Sequence, residues 1–398
     1  MSTARDAVAV TGIGIKSPLG CNLDAVQRSL EECRSCLSPL SLFDIDIQPA
    51  PTVCQITGAL HVQNRKGFRY SRTDQLAILS ARDAAGSIRD MTQCGVVLAT
   101  TVGGLTAVRP AVASDPRGCY RGGDFSLLTS YQPGHVTDAV AADLGTAGPR
   151  CALSVACASG AIAISTGAQM LLDGSTSLVL AGGSDALCRF TLSGFNALQA
   201  LDPDPCIPFD CERKGLNIGE GAAILAMEPL PAARERGAGV IAVLRGWGMS
   251  NDAYHPTAPH EGGAGLALCM ERAMRKAGIG PNDVDFVNAH GTGTPLNDAA
   301  EAKAYERVFR DRREAIPVSS TKSYVGHNLA AAGAIEAVAT IASLRSGLLF
   351  PTLRLKNPLD SNNVDWIKRQ PRRTRPSVGM TVSAGFGGSN ACLIFSLA

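Results

Sequence analysis

Short, continuously apolar runs recur along the chain at Val8–Thr11, Val96–Thr100, Leu153–Ala156, Leu178–Ala181, Ile241–Leu244, Phe286–Ala289, Val318–Ser320 and Met380–Ser383. Continuity, rather than alternation with polar residues, predicts strands buried on both faces. Amphipathic stretches separate them. Leu266, Cys269, Met270, Ala273, Met274 and Ala277 fall at i, i+3, i+4 spacing and predict a helix that stops at Gly278. Buried strands alternating with such helices predict an α/β fold.

The pattern echoes itself, which predicts two similar halves, residues 1–239 and 240–398, around one shared site. Each half opens with a strand running into a Gly-x-Gly turn, at Gly12-Ile13-Gly14 and Gly246-Trp247-Gly248. Each closes on a strand entering a glycine turn, Gly182-Gly183 and Gly385 to Gly388. A dinucleotide site is excluded at the first of these. Pro18 follows too closely for an immediate helix, and the third glycine of that fingerprint is absent.

Charge narrows the function classes. Lys+Arg 37 against Asp+Glu 35 gives a net +2, which predicts neither a nucleic-acid partner nor an anionic membrane surface. No apolar run predicts a membrane span. The 13 cysteines are irregularly spaced, and no secretory segment is evident before Val8, so a reduced, cytoplasmic protein is expected. Cys33-Arg34-Ser35-Cys36 reads as packed small side chains, since no second ligand pair follows it. No metal and no cofactor are expected.

One cysteine stands apart by its address. In Ser154-Val155-Ala156-Cys157-Ala158-Ser159-Gly160 a strand runs into an Ala/Ile/Gly helix, placing the Cys157 sulfur at a helix N-terminus. Free N–H groups there favour thiolate and point at any oxyanion formed by attack on a carbonyl. Two histidines occupy strand ends among glycines and hydroxyls: His290 in Asn288-Ala289-His290-Gly291-Thr292-Gly293-Thr294, and His327 in Ser319-Ser320-Thr321-Lys322-Ser323-Tyr324-Val325-Gly326-His327. Glu336 lies one helical stretch beyond. The set points to acyl-thioester chemistry.

These motifs resemble the elongating β-ketoacyl-[acyl carrier protein] synthases of fatty-acid and type II polyketide synthesis. The resemblance runs from Val10-Thr11-Gly12 to Gly385-Phe386-Gly387-Gly388-Ser389-Asn390, through Ala181-Gly182-Gly183-Ser184-Asp185, Pro208-Phe209-Asp210 and Gly219-Glu220-Gly221-Ala222. It implies the thiolase fold, two duplicated halves in an α-β-α-β-α arrangement, and usually a dimer. Cys157 matches the acyl-accepting nucleophile, and His290 and His327 the pair that binds the malonyl thioester. Lys322 and Glu336 match a charged pair that orders the second histidine's surroundings. Phe386 matches the gating aromatic that completes the oxyanion hole, and Thr292 and Thr294 the hydroxyls that hold phosphopantetheine. The implied partners are acyl carrier protein and a second copy, or a heterodimeric chain-length factor. A non-catalytic pairing subunit is the alternative, although such subunits lack the active cysteine.

Local departures set further expectations. Ala384 stands where the family usually has phenylalanine, which widens the pocket or loosens the gate. Val102 matches a position that limits acyl-chain depth, and His135 falls where the family's dimer partner lines the pocket, which implies a polar contact to the acyl chain across the dimer. Arg65, Lys66, Arg69 and Arg72 form a basic cluster expected to dock an acidic carrier, with Arg213 and Lys214 as a second candidate.

Overall fold

The computed structural model describes residues 7–63, 69–86, 88, 90–106 and 129–398. The first half contributes β1 (Val8–Lys16), β4 (Gly95–Ala99), β5 (Arg150–Leu153), β6 (Val179–Asp185) and β7 (Gly221–Pro229) to the main sheet. β2 (Ser38–Pro39) and β3 (Thr52–Val53) pair separately. The second half contributes β8 (Ala242–Asn251), β9 (Phe286–Asn288), β10 (Ile316–Ser319), β14 (Val378–Gly385) and β15 (Ser389–Ser396). β12 (Val364–Trp366) extends its edge, and β11 (Leu348–Leu349) pairs β13 (Arg372–Arg373).

The two halves share one topology. In space the strands run β5-β4-β6-β7-β1 in the first half and β10-β9-β14-β15-β8 in the second. In each, the first three are parallel and the remaining pairings are antiparallel. The halves join where β1 pairs antiparallel with β8, Val8 opposite Leu244 and Val10 opposite Ala242. Helices Arg72–Ala85 and Ala264–Ala277 pack at equivalent places, on β1/β7 and on β8/β15. Helices Ser159–Leu172 and Ala332–Ser346 pack together between the two halves of the sheet. This is the thiolase fold with its α-β-α-β-α layering.

The Gly-x-Gly motifs are not turns. Gly12 and Gly14 lie inside β1, where a Cβ would sit 2.0 Å from Ala84 O and 1.8 Å from Ser80 O. Gly246 and Gly248 repeat this inside β8, 2.4 Å from Ala273 O and 2.0 Å from Cys269 O. In both halves glycine lets the covering helix touch the strand. Gly182 and Gly183 likewise lie within β6, with a Cβ at Gly182 only 2.0 Å from Ala223 O.

The helical stretch Leu329–Ser346 is long and apolar enough to cross a membrane by composition, yet 89% of it is buried inside the protein. It is the core helix, dry on every side, which explains why its residues carry no amphipathic stripe. Its first turns deliver Glu336 to the site.

Candidate active site

Cys157 sits on a sharp turn between β5 and the helix Ser159–Leu172. Ala156 holds a positive φ of 46° there, and Val155 bridges to Cys157 across it. Ser159 stabilises the bend, its hydroxyl accepting from Val155 N–H at 2.7 Å and donating to Ala156 O at 2.5 Å. The thiol therefore projects from the start of a helix, as the sequence predicts. It is only 7% exposed.

His290 lies just past β9, on a loop held by two carboxylates from the helix Pro295–Phe309. Glu301 accepts the amide N–H groups of His290 at 2.7 Å and Gly291 at 2.8 Å. Asp298 accepts those of Thr292 at 3.1 Å and Gly293 at 3.2 Å. Burial pushes Glu301 up to about 7, against the pull of the Tyr305 hydroxyl that donates to it. His327 follows Gly326, whose φ of 64° suits glycine, and its amide donates to Asn217 O at 2.7 Å.

The three residues meet. The Cys157 sulfur and ring nitrogens of His290 and His327 lie within 4.8 Å of one another. The imidazoles stand nearly perpendicular, at 88°, with centroids 5.3 Å apart. Their outer partners fix the tautomers. Lys322 Nζ lies 3.1 Å from His290 Nδ1, and an ammonium only donates, so His290 carries its proton on Nε2. Leu329 N–H donates to His327 Nδ1 at 3.2 Å, with the same consequence. Burial first, then Lys322, holds both rings well below the usual imidazole range. Two neutral N–H donors thus serve one cavity.

Lys322 is placed differently from the expectation. Its ammonium contacts the first histidine, reaching His290 Nδ1 and donating to His290 O at 2.6 Å, and it pairs with Glu336. The reason is topological: β9 and β10 are adjacent parallel strands, so residues just beyond their ends become neighbours.

Phe386 lies beside Cys157 on the cavity wall. Its backbone N–H points at the Cys157 sulfur, and its ring, 37% exposed, stacks on Phe195 at 5.8 Å. Gly385 before it keeps this approach open, since a Cβ there would lie 3.1 Å from Cys157 N. Cys157, His290, His327, Thr292, Thr294, Ala384 and Phe386 all line one cavity of about 360 Å³. The Thr292 and Thr294 hydroxyls are hydrogen-bonded at 2.8 Å along its wall.

Other candidates fall outside this group. Val102 is buried behind the wall, in the apolar cluster against which Phe195 packs. His135 faces Asp74, 3.2 Å from its carboxylate, and not the cavity, because the Asp74 cap of the neighbouring helix captures it. Arg72 is also no docking cation. Its guanidinium forks onto buried Glu220 at 2.6 and 2.8 Å and donates to Ile56 O. Arg69 is exposed, whereas Arg65 and Lys66 lie outside the described residues. Arg213 donates to Pro295 O at 2.7 Å and Asp210 O at 2.9 Å, while Lys214 stands exposed on the cavity rim.

Sequence reasoning missed Asp185, Asp298 and Glu301. Asp185 accepts from Thr100, Thr101, Val102 and Ala330, tying a first-half loop to the segment after His327. The signal for the other two was an acid at the first turn and another three residues on, beside a glycine-rich loop with free amides.

Comparison with known proteins decides the family. Residues 74–233 match the family model described as Beta-ketoacyl synthase, N-terminal domain, and residues 241–356 match its C-terminal domain. The chain belongs to the β-ketoacyl synthase family. It is 33% identical to 3-oxoacyl-[acyl-carrier-protein] synthase 2 of Rhizobium meliloti (strain 1021), over 97% of this chain and 98% of that one. The ishigamide ketosynthase/chain length factor structure superposes with a TM-score of 0.91 at 29% identity, over 99% of this chain and 100% of that chain. A type II polyketide acyl-carrier protein in complex with its ketosynthase bound to the hexaketide gives 0.87 at 26%, over 98% and 99%. The synthase is thus an acyltransferase-type condensing enzyme by family.

Cys157 rests as a thiol. Burial pushes Cys157 up to about 11, outweighing the pull of Lys322 and the Phe386 N–H, so the helix end alone does not make it a thiolate. A raised pKa means less thiolate at neutral pH, not more. The rate of Cys157 alkylation by iodoacetamide is therefore expected to rise about tenfold per pH unit from 7 to 10. A plateau near pH 7, followed by peptide mapping, would show that the helix end prevails.

Proposed function

We propose that the synthase elongates carrier-bound acyl chains by decarboxylative Claisen condensation, using Cys157, His290 and His327. The observation that carries this reading is the meeting of one thiol with two Nε2–H donors in a single cavity. In the first half-reaction the Cys157 sulfur attacks the acyl-carrier thioester. The oxyanion collects the N–H groups of Cys157 and Phe386, the carrier thiolate leaves, and the Cys157 proton ends on it. In the second, His290 and His327 donate to the malonyl thioester carbonyl. The bond to the carboxylate breaks, CO2 departs, and its electron pair becomes the enolate. Neutral donors suit this step, because an imidazolium would protonate the carbanion. The enolate carbon then attacks the acyl-Cys157 carbonyl, and the sulfur leaves, releasing a 3-oxoacyl carrier.

Thr292 and Thr294 hold the pantetheine arm along the wall, and Lys322 and Glu336 keep His290 aimed. Acyl carrier protein is the substrate donor, and no resident cofactor or metal takes part. The working form is a dimer, with a second copy or with a chain-length-factor-like chain, and the units divide between residues 239 and 240. Ala384, on the cavity wall, sets its width. Incubation with acyl-carrier and malonyl-carrier thioesters should yield a 3-oxoacyl carrier two carbons longer, read by mass. Absence of product with every acyl length, alone and with a synthase-like partner, would favour a non-catalytic pairing subunit.

A further inference from the structure

Asp185 closes β6 with a fully buried carboxylate that the condensation itself leaves unused. Its Oδ1 accepts from the Thr100 hydroxyl at 2.5 Å and from the N–H groups of Thr101 at 3.0 Å and Val102 at 2.9 Å. Its Oδ2 accepts from the Thr101 hydroxyl at 2.6 Å and from Ala330 N–H at 2.8 Å. Ala330 differs from the other donors, because it belongs to the second half. It lies in the short turn Leu329–Ala331 that opens the core helix just after His327.

Three consecutive amides at this helix start find three different acceptors. Leu329 N–H donates to His327 Nδ1 at 3.2 Å, Ala330 N–H to Asp185, and Ala331 N–H to Asn328 O at 3.0 Å. Asn328 holds the capping position but makes no side-chain cap; its amide reaches away to Glu220 O at 3.0 Å. Asp185 supplies the cap from the other half of the fold and brings negative charge to the helix start. Leu329 needs such a hold. Its φ of 53° lies in the left-handed region, which a residue with a large side chain rarely adopts. The segment is also pressed close: a Cβ on Gly160 or Gly183 would come within 2.6 or 2.5 Å of Ala330 O. Release of Ala330 would let Leu329 relax and swing its N–H off the His327 ring.

We propose that Asp185 is a positioning residue of the malonyl half-reaction: by capping Ala330 it holds Leu329 N–H on His327 Nδ1 and so keeps the His327 proton on Nε2. The kinetic consequence rests on the condensing function proposed above; the tautomer does not. Asp185→Asn separates the two ends of the carboxylate. The asparagine oxygen is drawn to the Oδ1 place, where two amides and a hydroxyl donate to it. Its NH2 then faces Ala330 N–H, donor against donor, and the cap is lost. Asp185→Ser is a second variant, one bond shorter and unable to span to Ala330. Thr101→Val is the control, since it takes one hydroxyl from the same carboxylate and leaves the Ala330 bond in place.

The test uses full-length protein labelled with nitrogen-15 at histidine, with folding of each variant checked by denaturant melts. In the unaltered protein and in Thr101→Val the imidazole nitrogen signals should place the His327 proton on Nε2. In Asp185→Asn and Asp185→Ser that proton should divide between Nδ1 and Nε2, while His290 keeps its signals. Decarboxylation of malonyl carrier should fall about tenfold in both Asp185 variants, less than the loss of a whole donor, with acylation of Cys157 within a few-fold. An unchanged His327 tautomer in either folded Asp185 variant overturns the proposal. So does an equal loss of acylation and decarboxylation, or a Thr101→Val protein that loses as much decarboxylation as Asp185→Asn, since either result means packing alone. Absence of decarboxylation in the unaltered protein would contradict the condensing function, and the tautomers would still decide the role of Asp185.

Discussion

Replacing His290 with alanine is expected to cut decarboxylation of malonyl carrier by about 10²–10³, the usual cost of losing one oxyanion donor. Acylation of Cys157 should stay within a few-fold of the unaltered protein, because that step uses the N–H groups of Cys157 and Phe386. The split follows from geometry. Lys322 pins His290 Nδ1, leaving Nε2–H as its only free donor, and alanine removes it without touching the first hole. Stopped-flow acylation and CO2 release separate the two steps. Equal loss in both would mean that His290 serves the thiol, not the malonyl unit.

Lys322→Met has the second large effect, and it has two origins. The ammonium is 1% exposed and pairs with Glu336, which is 2% exposed, so methionine leaves a buried carboxylate without its counter-charge. Breaking such a pair costs about 3–5 kcal/mol. The same change frees His290 to exchange tautomers and lifts a charge that, after burial, holds both rings neutral. Adding Glu336→Leu should restore much of the stability, seen in denaturant melts, but not decarboxylation. Recovery of both together would reduce Lys322 to a packing role.

The fold was legible because its strands are buried on both faces. Seven of the eight apolar runs fall in largely buried strands of the main sheet; Leu153–Ala156 shares only its first residue with β5, which is half-exposed, and otherwise forms the turn before Cys157. β7 and β15, the fifth strand of each half, were not singled out, though both are apolar. Gly221-Ala222-Ala223-Ile224-Leu225-Ala226-Met227 is alanine-rich and follows a glycine motif, and β15 begins directly after the Gly385–Gly388 turn. Glycine read as punctuation hid strands in which glycine serves close packing. Cys157, His290 and His327 were legible because each sits at an element end that the chain pattern marks, whereas Thr292, Thr294 and Phe386 came from the family resemblance. Lys322 was found, but its partner was not, since which of two histidines a lysine reaches depends on strand order. Arg72 is not a free cation because Glu220 claims it, and no local spacing announces a carboxylate 148 residues away.

The condensing function requires that Cys157 carry an acyl group. Intact-mass analysis of the protein incubated with acyl-carrier thioester should show one acyl increment, mapped to Cys157 and missing in Cys157→Ala. No increment at any chain length, or an increment that persists in Cys157→Ala, would contradict it.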